Sequence, residues 1–440
     1  MCELPSCSSG DTPFAAGLAE VRAGRRTLLK VGGAGVAFST AAGALGAAAA
    51  AAAAAPPGNR KRAYVLVVDG CRPEEIDSGL TPNLAALRNG GLRFPRASSM
   101  PVMETIPNHV MMMTGMRPDR TGVPANSIYD RKLGETRTME RASDIKVDTV
   151  IERLNRKGYR TGTVLSKEYL YGVFGDRATA RWEPAPIIPI SGHAPDHFTM
   201  NAALTMVEEL DPHLMFVNLG DIDRFGHSDF TGTTVRVARK LALVDTDLLV
   251  GRFVDMLKST GRWEHSIVVV LADHSMDWSR PDRVISLQSS MDADPFLGGK
   301  VAISANGGAD LLYWTGAAAE RTRAITRMRQ IALATPGVLS APRRTDKWLR
   351  LGPEAGDVVV FCKSGWRFSD PDPITDNPIP GNHGHPATRA IPFFIGGGHP
   401  RVPSRSASSA HAKTVDVAPT IASFFGVGSP RRGWDGIARL

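Results

Sequence analysis

The chain has 440 residues, 42% hydrophobic and 22% charged, proportions that exclude a disordered polypeptide and allow a large buried core. Its formal charge of +8 favours anionic ligands, yet no Lys/Arg run interleaved with aromatics marks a nucleic-acid groove, so no duplex partner is expected. Beyond the N-terminal segment only Cys71 and Cys362 remain, too few for a disulfide framework or a cysteine zinc site; they either pair or stay as buried thiols.

At the start, Arg25-Arg26-Thr27-Leu28-Leu29-Lys30 leads into a Gly/Ala-rich stretch ending in the alanine run Ala47 to Ala55. A charged start, an apolar middle and small residues before a cleavage point read as a twin-arginine signal over residues 1–55. Such a signal implies the twin-arginine translocase as a transient partner and a periplasmic, surface or secreted destination. Val31 to Ala55 is long enough to cross a bilayer, but its Gly/Ala content makes it a poor anchor, and no stable span is expected after cleavage. Cleavage would leave a net charge of about +7.

Residues 56–440 read as one catalytic domain. Ala63 to Val68 is a continuous apolar, β-branched run of the kind buried on both faces of a parallel sheet. A helix follows from Thr81 as N-cap, with Pro82 at its first position and Gly90-Gly91 as its stop. Val147 to Lys157 predicts a helix, Thr161 to Leu165 and Leu214 to Asn218 strands, Thr233 to Lys258 a helix, and Ser266 to Leu271 another apolar strand. This alternation predicts an α/β fold with a mainly parallel sheet and helices on both faces. Later segments are less regular: strands at Val301 to Ser304, Leu311 to Trp314, Asp357 to Cys362 and Ile391 to Ile395, and a helix over Ala317 to Leu333. Residues 279–380 read as an inserted cap, and a last helix begins near Asp416-Val417-Ala418-Pro419.

Three of the clearest strands run into carboxylates: Val68 into Asp69, Leu219 into Asp221 and Asp223, Leu271 into Asp273. That is the carboxyl edge, where open α/β sheets place their sites. Asp223 and His227 stand four apart, Asp273 and His274 are adjacent, and His383 lies in Gly381-Asn382-His383-Gly384. Hard oxygen with borderline nitrogen ligands suits zinc or a similar divalent ion, with manganese or iron as alternatives. Singly, each piece has a plainer reading: an Asp-His pair is more often a loop hydrogen bond, and an Asp after a strand often caps a helix.

Together and in order, they carry a resemblance. Val67-Val68-Asp69-Gly70, Thr81-Pro82-Asn83-Leu84, Thr105-Ile106-Pro107-Asn108-His109, Thr114-Gly115, Gly122, Asn126 with Tyr129-Asp130, Asp223 to His227, Ala272 to Met276, Gly381 to Gly384 and Asp416 to Thr420 are similar to the type I phosphodiesterase and nucleotide pyrophosphatase branch of the alkaline phosphatase superfamily. The likeness runs across about residues 63 to 430 and implies an alkaline phosphatase-like core acting on small phosphorylated substrates. It implies two divalent metal ions, one held by Asp223, His227 and His383, the other by Asp69, Asp273, His274 and the Thr105 oxygen. Thr105 would attack phosphorus to form a phosphothreonine intermediate, and Asn126 would bind a non-bridging oxygen.

The spacing independently suits this chemistry. Two cations can clamp a phosphoryl centre, and coordination lowers the pKa of a threonine hydroxyl. The run after Thr105 predicts a helix whose N-terminal N–H groups and dipole face the phosphate. Asp221 is an alternative ligand to Asp223, and Met111 to Met113 read as core packing. His109 is expected to support the helix, and His193, His197, His213, His265, His385, His399 and His411 to lie on the surface or in the core.

One departure bears on substrate. The family's Trp-Pro-Gly-Ser element is replaced by Leu165-Ser166-Lys167-Glu168-Tyr169-Leu170. Lys167 resembles the substrate-binding lysine of phosphonoacetate hydrolases and of one monoesterase type, where a cation meets a dianionic group. The general pattern thus points to a phosphodiesterase, Lys167 to a monoester or phosphonate hydrolase. A third reading, an inactive phosphate-binding protein, would keep the fold but not need Thr105.

Overall fold

The computed structural model describes residues 60–185, 187, 192–227, 236–370 and 380–440. The expected signal, residues 1–55, lies outside the described residues.

The strand Arg62–Val68 is buried at every position, because its β-branched side chains pack against helices on both faces of the sheet; each fully buried Val or Leu contributes about 1.5–3 kcal/mol. It pairs in parallel with Leu214–Leu219 on one side and Ser266–Leu271 on the other. Thr161–Leu165 and Ala180–Trp182 extend the parallel array beyond Leu214–Leu219. Past Ser266–Leu271 the direction reverses: Phe393–Gly396 runs antiparallel to it and to Leu92–Arg93, and Ser406–Ala407 closes that edge. The result is the expected α/β fold, an eight-stranded, mainly parallel sheet. Every parallel strand ends at the same edge, so Asp69, Ser166-Lys167, Gly220-Asp221 and Ala272-Asp273 emerge together.

The helix after the first strand spans Pro82–Gly90, yet Thr81 makes no side-chain cap bond. Its hydroxyl donates instead to the carbonyls of Glu75 and Ile76, and the cap comes from a distant side chain: Asp247 accepts from the N–H of Asn83 at 3.1 Å and of Leu84 at 2.8 Å. The helix Val237–Ser259 that carries Asp247 is thereby locked to the first βα unit. A capping box on Thr149 and Glu152 starts Val150–Asn155. Helices at Asp196–Glu209 and Glu168–Phe174 were not among the predicted elements.

Within residues 279–380, a second sheet has the order Val301–Asn306, Ala309–Trp314, Val358–Cys362, Val338–Ser340, all antiparallel. Its two faces are both apolar. Leu311, Tyr313, Val359 and Phe361 join the main core, whereas Leu312, Trp314, Val358 and Val360 pack with Ala324 and Met328 of the helix Arg321–Ala334 in a second core. This layer is therefore clamped onto the main body by alternate residues of the same strands. Cys71 and Cys362 are both buried free thiols.

Candidate active site

Thr105 opens the helix Thr105–Thr114, all ten residues of which are buried. Asn108 fixes the approach to it: its Nδ2 donates to the carbonyls of Met100, Val102 and Glu104 at 2.9–3.2 Å. The helix start supplies fewer N–H groups than its dipole alone suggests. Pro107 has none, and the Ile106 N–H donates to Asn126 Oδ1 at 2.8 Å, leaving the Thr105 N–H among the first three residues. Met111, Met112 and Met113 are core residues.

Around Thr105 stand the six expected side chains. Thr105 Oγ1 lies 3.1 Å from His274 Nε2; His274 Nδ1 faces the Ser275 carbonyl at 3.0 Å, so the proton sits on Nδ1 and the Nε2 lone pair faces the hydroxyl. His274 Nε2 is also 3.4 Å from Asp273 and 3.8 Å from Asp69. The His274 and His383 rings stack at 3.8 Å, and His227 and His383 meet edge to face at 5.0 Å. His227 donates from Nδ1 to the Gly381 carbonyl at 2.8 Å, which turns Nε2 toward Asp223, 3.4 Å away. Asp223 and His227 sit on a helical turn, Asp221–His227, rather than in a loop. Gly70 permits the closeness of Asp69 and Asp223: a Cβ there would stand 3.0 Å from Asp223 Oδ1, and its φ of +70° suits glycine.

The three aspartates are bonded in the same lopsided way. Asp69 Oδ2 accepts from Asn218 Nδ2 at 2.9 Å and faces Lys167 Nζ at 2.8 Å. Asp273 Oδ1 accepts from the Gly70 and His274 N–H groups, and Asp223 Oδ2 from Lys167 Nζ at 2.7 Å. The other oxygens, Asp69 Oδ1, Asp223 Oδ1 and Asp273 Oδ2, are buried without a hydrogen-bond partner, as is His383 Nδ1. Unpartnered buried acceptors are costly. Three bare carboxylate oxygens and an unpartnered imidazole nitrogen gathered at one site are what a cation shell requires, so the residues fit divalent metal. Asp223, His274 and His383, and separately Asp69, His109 and Asp273, bring ligand atoms within 4.8 Å of one another.

Lys167 is placed differently from its expected substrate-facing position. Its ammonium is fully buried between Asp69 and Asp223, joining the two groups. Burial works against the charge, but Asp223 and Asp69 outweigh it and raise the ammonium's pKa. Burial and the facing Asp273 push Asp69 up; Asp223, though buried, is held well below the usual carboxylate range by Lys167 and His227. Burial and the neighbouring His274 and His227 keep His383 neutral, as a ligand must be.

Asp221 points away from this ring. It accepts from the Asp196 N–H at 3.0 Å and meets His193 Nε2 at 3.0 Å. His109 has Nδ1 on the Thr105 carbonyl at 2.8 Å and Nε2 beside Asn218 at 3.2 Å, which commits both nitrogens to support. Asn126, half-buried, sits beside the helix start. Three contributors were not anticipated. Asn218 orients Asp69 and is itself held by Ser166 at 2.6 Å; a polar residue within the otherwise apolar Leu214–Leu219 was its signal. Glu104, 2% exposed, accepts from the Asn126 N–H at 2.8 Å, and burial pushes it up to about 8.

Beside Lys167 and Asp223, their sequence neighbours Tyr169 and Arg224 stack, the guanidinium 5.8 Å from the ring centre. They wall a cleft of about 760 Å³ that also takes in Arg141 and Tyr171. Among the described residues no helix is long and apolar enough to cross a membrane.

Known proteins show the same architecture. The solved structure of murine ectonucleotide pyrophosphatase/phosphodiesterase 5, an inactive form in complex with AMP, superposes with a TM-score of 0.69 at 16% identity, covering 85% of this chain and 97% of that one. Phosphonoacetate hydrolase from Sinorhizobium meliloti, with phosphonoacetate bound, gives 0.64 at 19% identity over 83% and 95%. In sequence, bis(5'-adenosyl)-triphosphatase ENPP4 of Bos taurus is 25% identical over 240 residues, 51% of this chain and 49% of that protein. Ectonucleotide pyrophosphatase/phosphodiesterase family member 3 of Rattus norvegicus is 25% identical over 49% of this chain and 25% of its own length. The chain thus spans about half the length or less of these curated relatives. Residues 63–386 match the profile of the type I phosphodiesterase / nucleotide pyrophosphatase family, and with the sheet-edge site in place the chain belongs to that family, within the alkaline phosphatase superfamily.

Proposed function

We propose that the protein is an exported phosphodiesterase of the nucleotide pyrophosphatase type that works through a phosphothreonine at Thr105 and two divalent cations, zinc by ligand chemistry. The observation that carries the reading is the set of bare acceptors, Asp69 Oδ1, Asp223 Oδ1, Asp273 Oδ2 and His383 Nδ1, converging around a buried threonine hydroxyl. Asp223, His227 and His383 would hold one cation and Asp69, Asp273, His274 and Thr105 the other. When bound, the cations supply charge that lowers the Thr105 pKa and neutralises phosphoryl oxygens.

The protein's own groups do the rest. Thr105 is buried at the helix start and its oxygen stands 3.1 Å from His274 Nε2, which limits its freedom before attack. Asn126 holds one non-bridging oxygen through its amide N–H. Lys167 offsets one of the three aspartate charges and ties the two ligand groups at a fixed separation. Its ammonium has three N–H bonds, two of them directed to Asp69 and Asp223. The cleft beside Tyr169 and Arg224 offers room for the organic group of a diester.

A second reading, hydrolysis of a monoester or phosphonate, is favoured by one observation: a lysine ammonium at the heart of the site, paired with Asp69 and Asp223. The test is hydrolysis of bis-p-nitrophenyl phosphate, p-nitrophenyl phosphate and phosphonoacetate by the zinc-loaded protein and its Lys167→Ala variant. Diester preference retained in both supports the first reading. Monoester or phosphonate preference lost with the lysine supports the second, and inactivity on all three returns the chain to a phosphate-binding role. Export through the twin-arginine route is tested by replacing Arg25 and Arg26 with Lys and following the chain's location.

A further inference from the structure

Glu104 immediately precedes Thr105 and is buried, with no basic side chain bonded to it among the described residues. Its side-chain Oε2 accepts from the backbone N–H of Asn126 at 2.8 Å. On the other side of Thr105, the Ile106 N–H donates to Asn126 Oδ1, also at 2.8 Å. The two residues flanking the nucleophile therefore grip one asparagine, one at its backbone and one at its side chain. Because a backbone N–H must have an acceptor, the end of the amide at Ile106 is Oδ1, and the free end is Nδ2. Nδ2 makes no hydrogen bond among the described residues. Asn126 is further tied through its carbonyl, which accepts from the Met139 N–H at 2.8 Å. The amide N–H pair is thus aimed from a frame built on the same three residues that carry the attacking oxygen.

We propose that Glu104 is a positioning residue that, with the Ile106 N–H, sets the Asn126 amide at a fixed offset from Thr105, so that nucleophile and phosphoryl-oxygen donor move as one rigid unit. The inference rests on the proposed role of Asn126. The Asn126 N–H takes up Oε2, so the Glu104 carboxyl acts through Asn126 rather than on the phosphoryl group. A misplacement of the donor by about 1 Å is enough to lose about a hundredfold in rate.

The experiment compares Glu104→Met, which keeps volume and removes the acceptor, with Glu104→Gln, whose amide oxygen still accepts, and with Asn126→Ala and the Glu104→Met/Asn126→Ala double variant. The readouts are kcat and KM for bis-p-nitrophenyl phosphate and hydrogen exchange at the Asn126 backbone amide. Expected are a kcat loss of about ten- to a hundredfold in Glu104→Met with KM little changed, faster exchange at Asn126, recovery of most of the rate in Glu104→Gln, and no further loss when Glu104→Met is added to Asn126→Ala. Multiplicative losses in the double variant, or a Glu104→Met enzyme as fast as the parent, overturn the positioning role. Should Glu104→Met not fold, Glu104→Gln carries the test: unchanged exchange and rate support the role, and a loss as deep as that of Asn126→Ala overturns it. An Asn126→Ala enzyme with full activity would instead remove the proposed role of Asn126, whatever Glu104 does.

Discussion

Two buried carboxylate groups lie at the same edge of the same sheet, and they are treated in opposite ways. Asp196 and Asp221 are saturated. Asp196 Oδ1 accepts from the N–H of Gly220 and Asp221, its Oδ2 from Thr246 Oγ1 at 2.6 Å, and Asp221 meets His193 and the Asp196 N–H. Asp69, Asp223 and Asp273 each have one oxygen bonded and one bare. Asp221 and Asp223 sit two residues apart on one helical turn, so sequence distance does not separate the two treatments. Satisfied acceptors hold a loop in place; bare ones keep valence in reserve for a ligand.

The sharpest way to break this contrast is to remove a bare oxygen. Asp69→Asn should lose about a thousandfold or more in hydrolysis and part of its bound metal, while melting at or above the parent temperature in the absence of metal, since burial and the facing Asp273 already work against its charge. Metal content by elemental analysis, paired with a melting curve, checks both; full metal retention would blur the distinction. Asp221→Asn should do the reverse. It turns an acceptor into a donor facing the Asp196 N–H or His193 and should cost about 1–3 kcal/mol of stability in denaturant titration while leaving metal content unchanged.

A third carboxylate, at the opposite end of the sheet, sharpens the comparison by titration. Asp211 takes two bonds from Arg62, at 2.7 and 2.8 Å, and contacts Arg60 and Arg262. Burial opposes its ionisation, but Arg62, then Arg60 and Arg262, bring it down to about 2. A carboxyl whose folded pKa is depressed stabilises above its unfolded value and loses that contribution as pH falls through the folded one. Asp211→Asn should therefore lower the melting temperature at neutral pH and by progressively less as pH falls from about 4 toward 2. A deficit independent of pH would assign its effect to packing rather than charge.

Much of this was legible beforehand, for particular reasons. The parallel core was readable because Arg62–Val68, Leu214–Leu219 and Ser266–Leu271 are buried on both faces and hence uniformly apolar. The clustering of Asp69, Asp223 and Asp273 was readable because the carboxyl edge puts them just after those strands. What escaped were interactions between distant segments. The cap on Pro82–Gly90 comes from Asp247, far along the chain; Asn218 matters only because Asp69 lies on the neighbouring strand. The Lys167 ammonium between two aspartates is likewise invisible in one dimension, where a lysine after a strand reads as facing substrate. The near-symmetric use of the second sheet, one face for each core, also needs three dimensions, since an all-apolar strand does not say which partner each face has.

The most direct test of the central claim is Thr105→Ala, assayed for metal content and for hydrolysis of bis-p-nitrophenyl phosphate. The account predicts metal content close to that of the parent, because the bare carboxylate and imidazole atoms remain, together with a loss of turnover of about ten-thousandfold or more. A Thr105→Ala protein that turns over within about tenfold of the parent would contradict it, and the oxygen that attacks phosphorus would have to come from elsewhere.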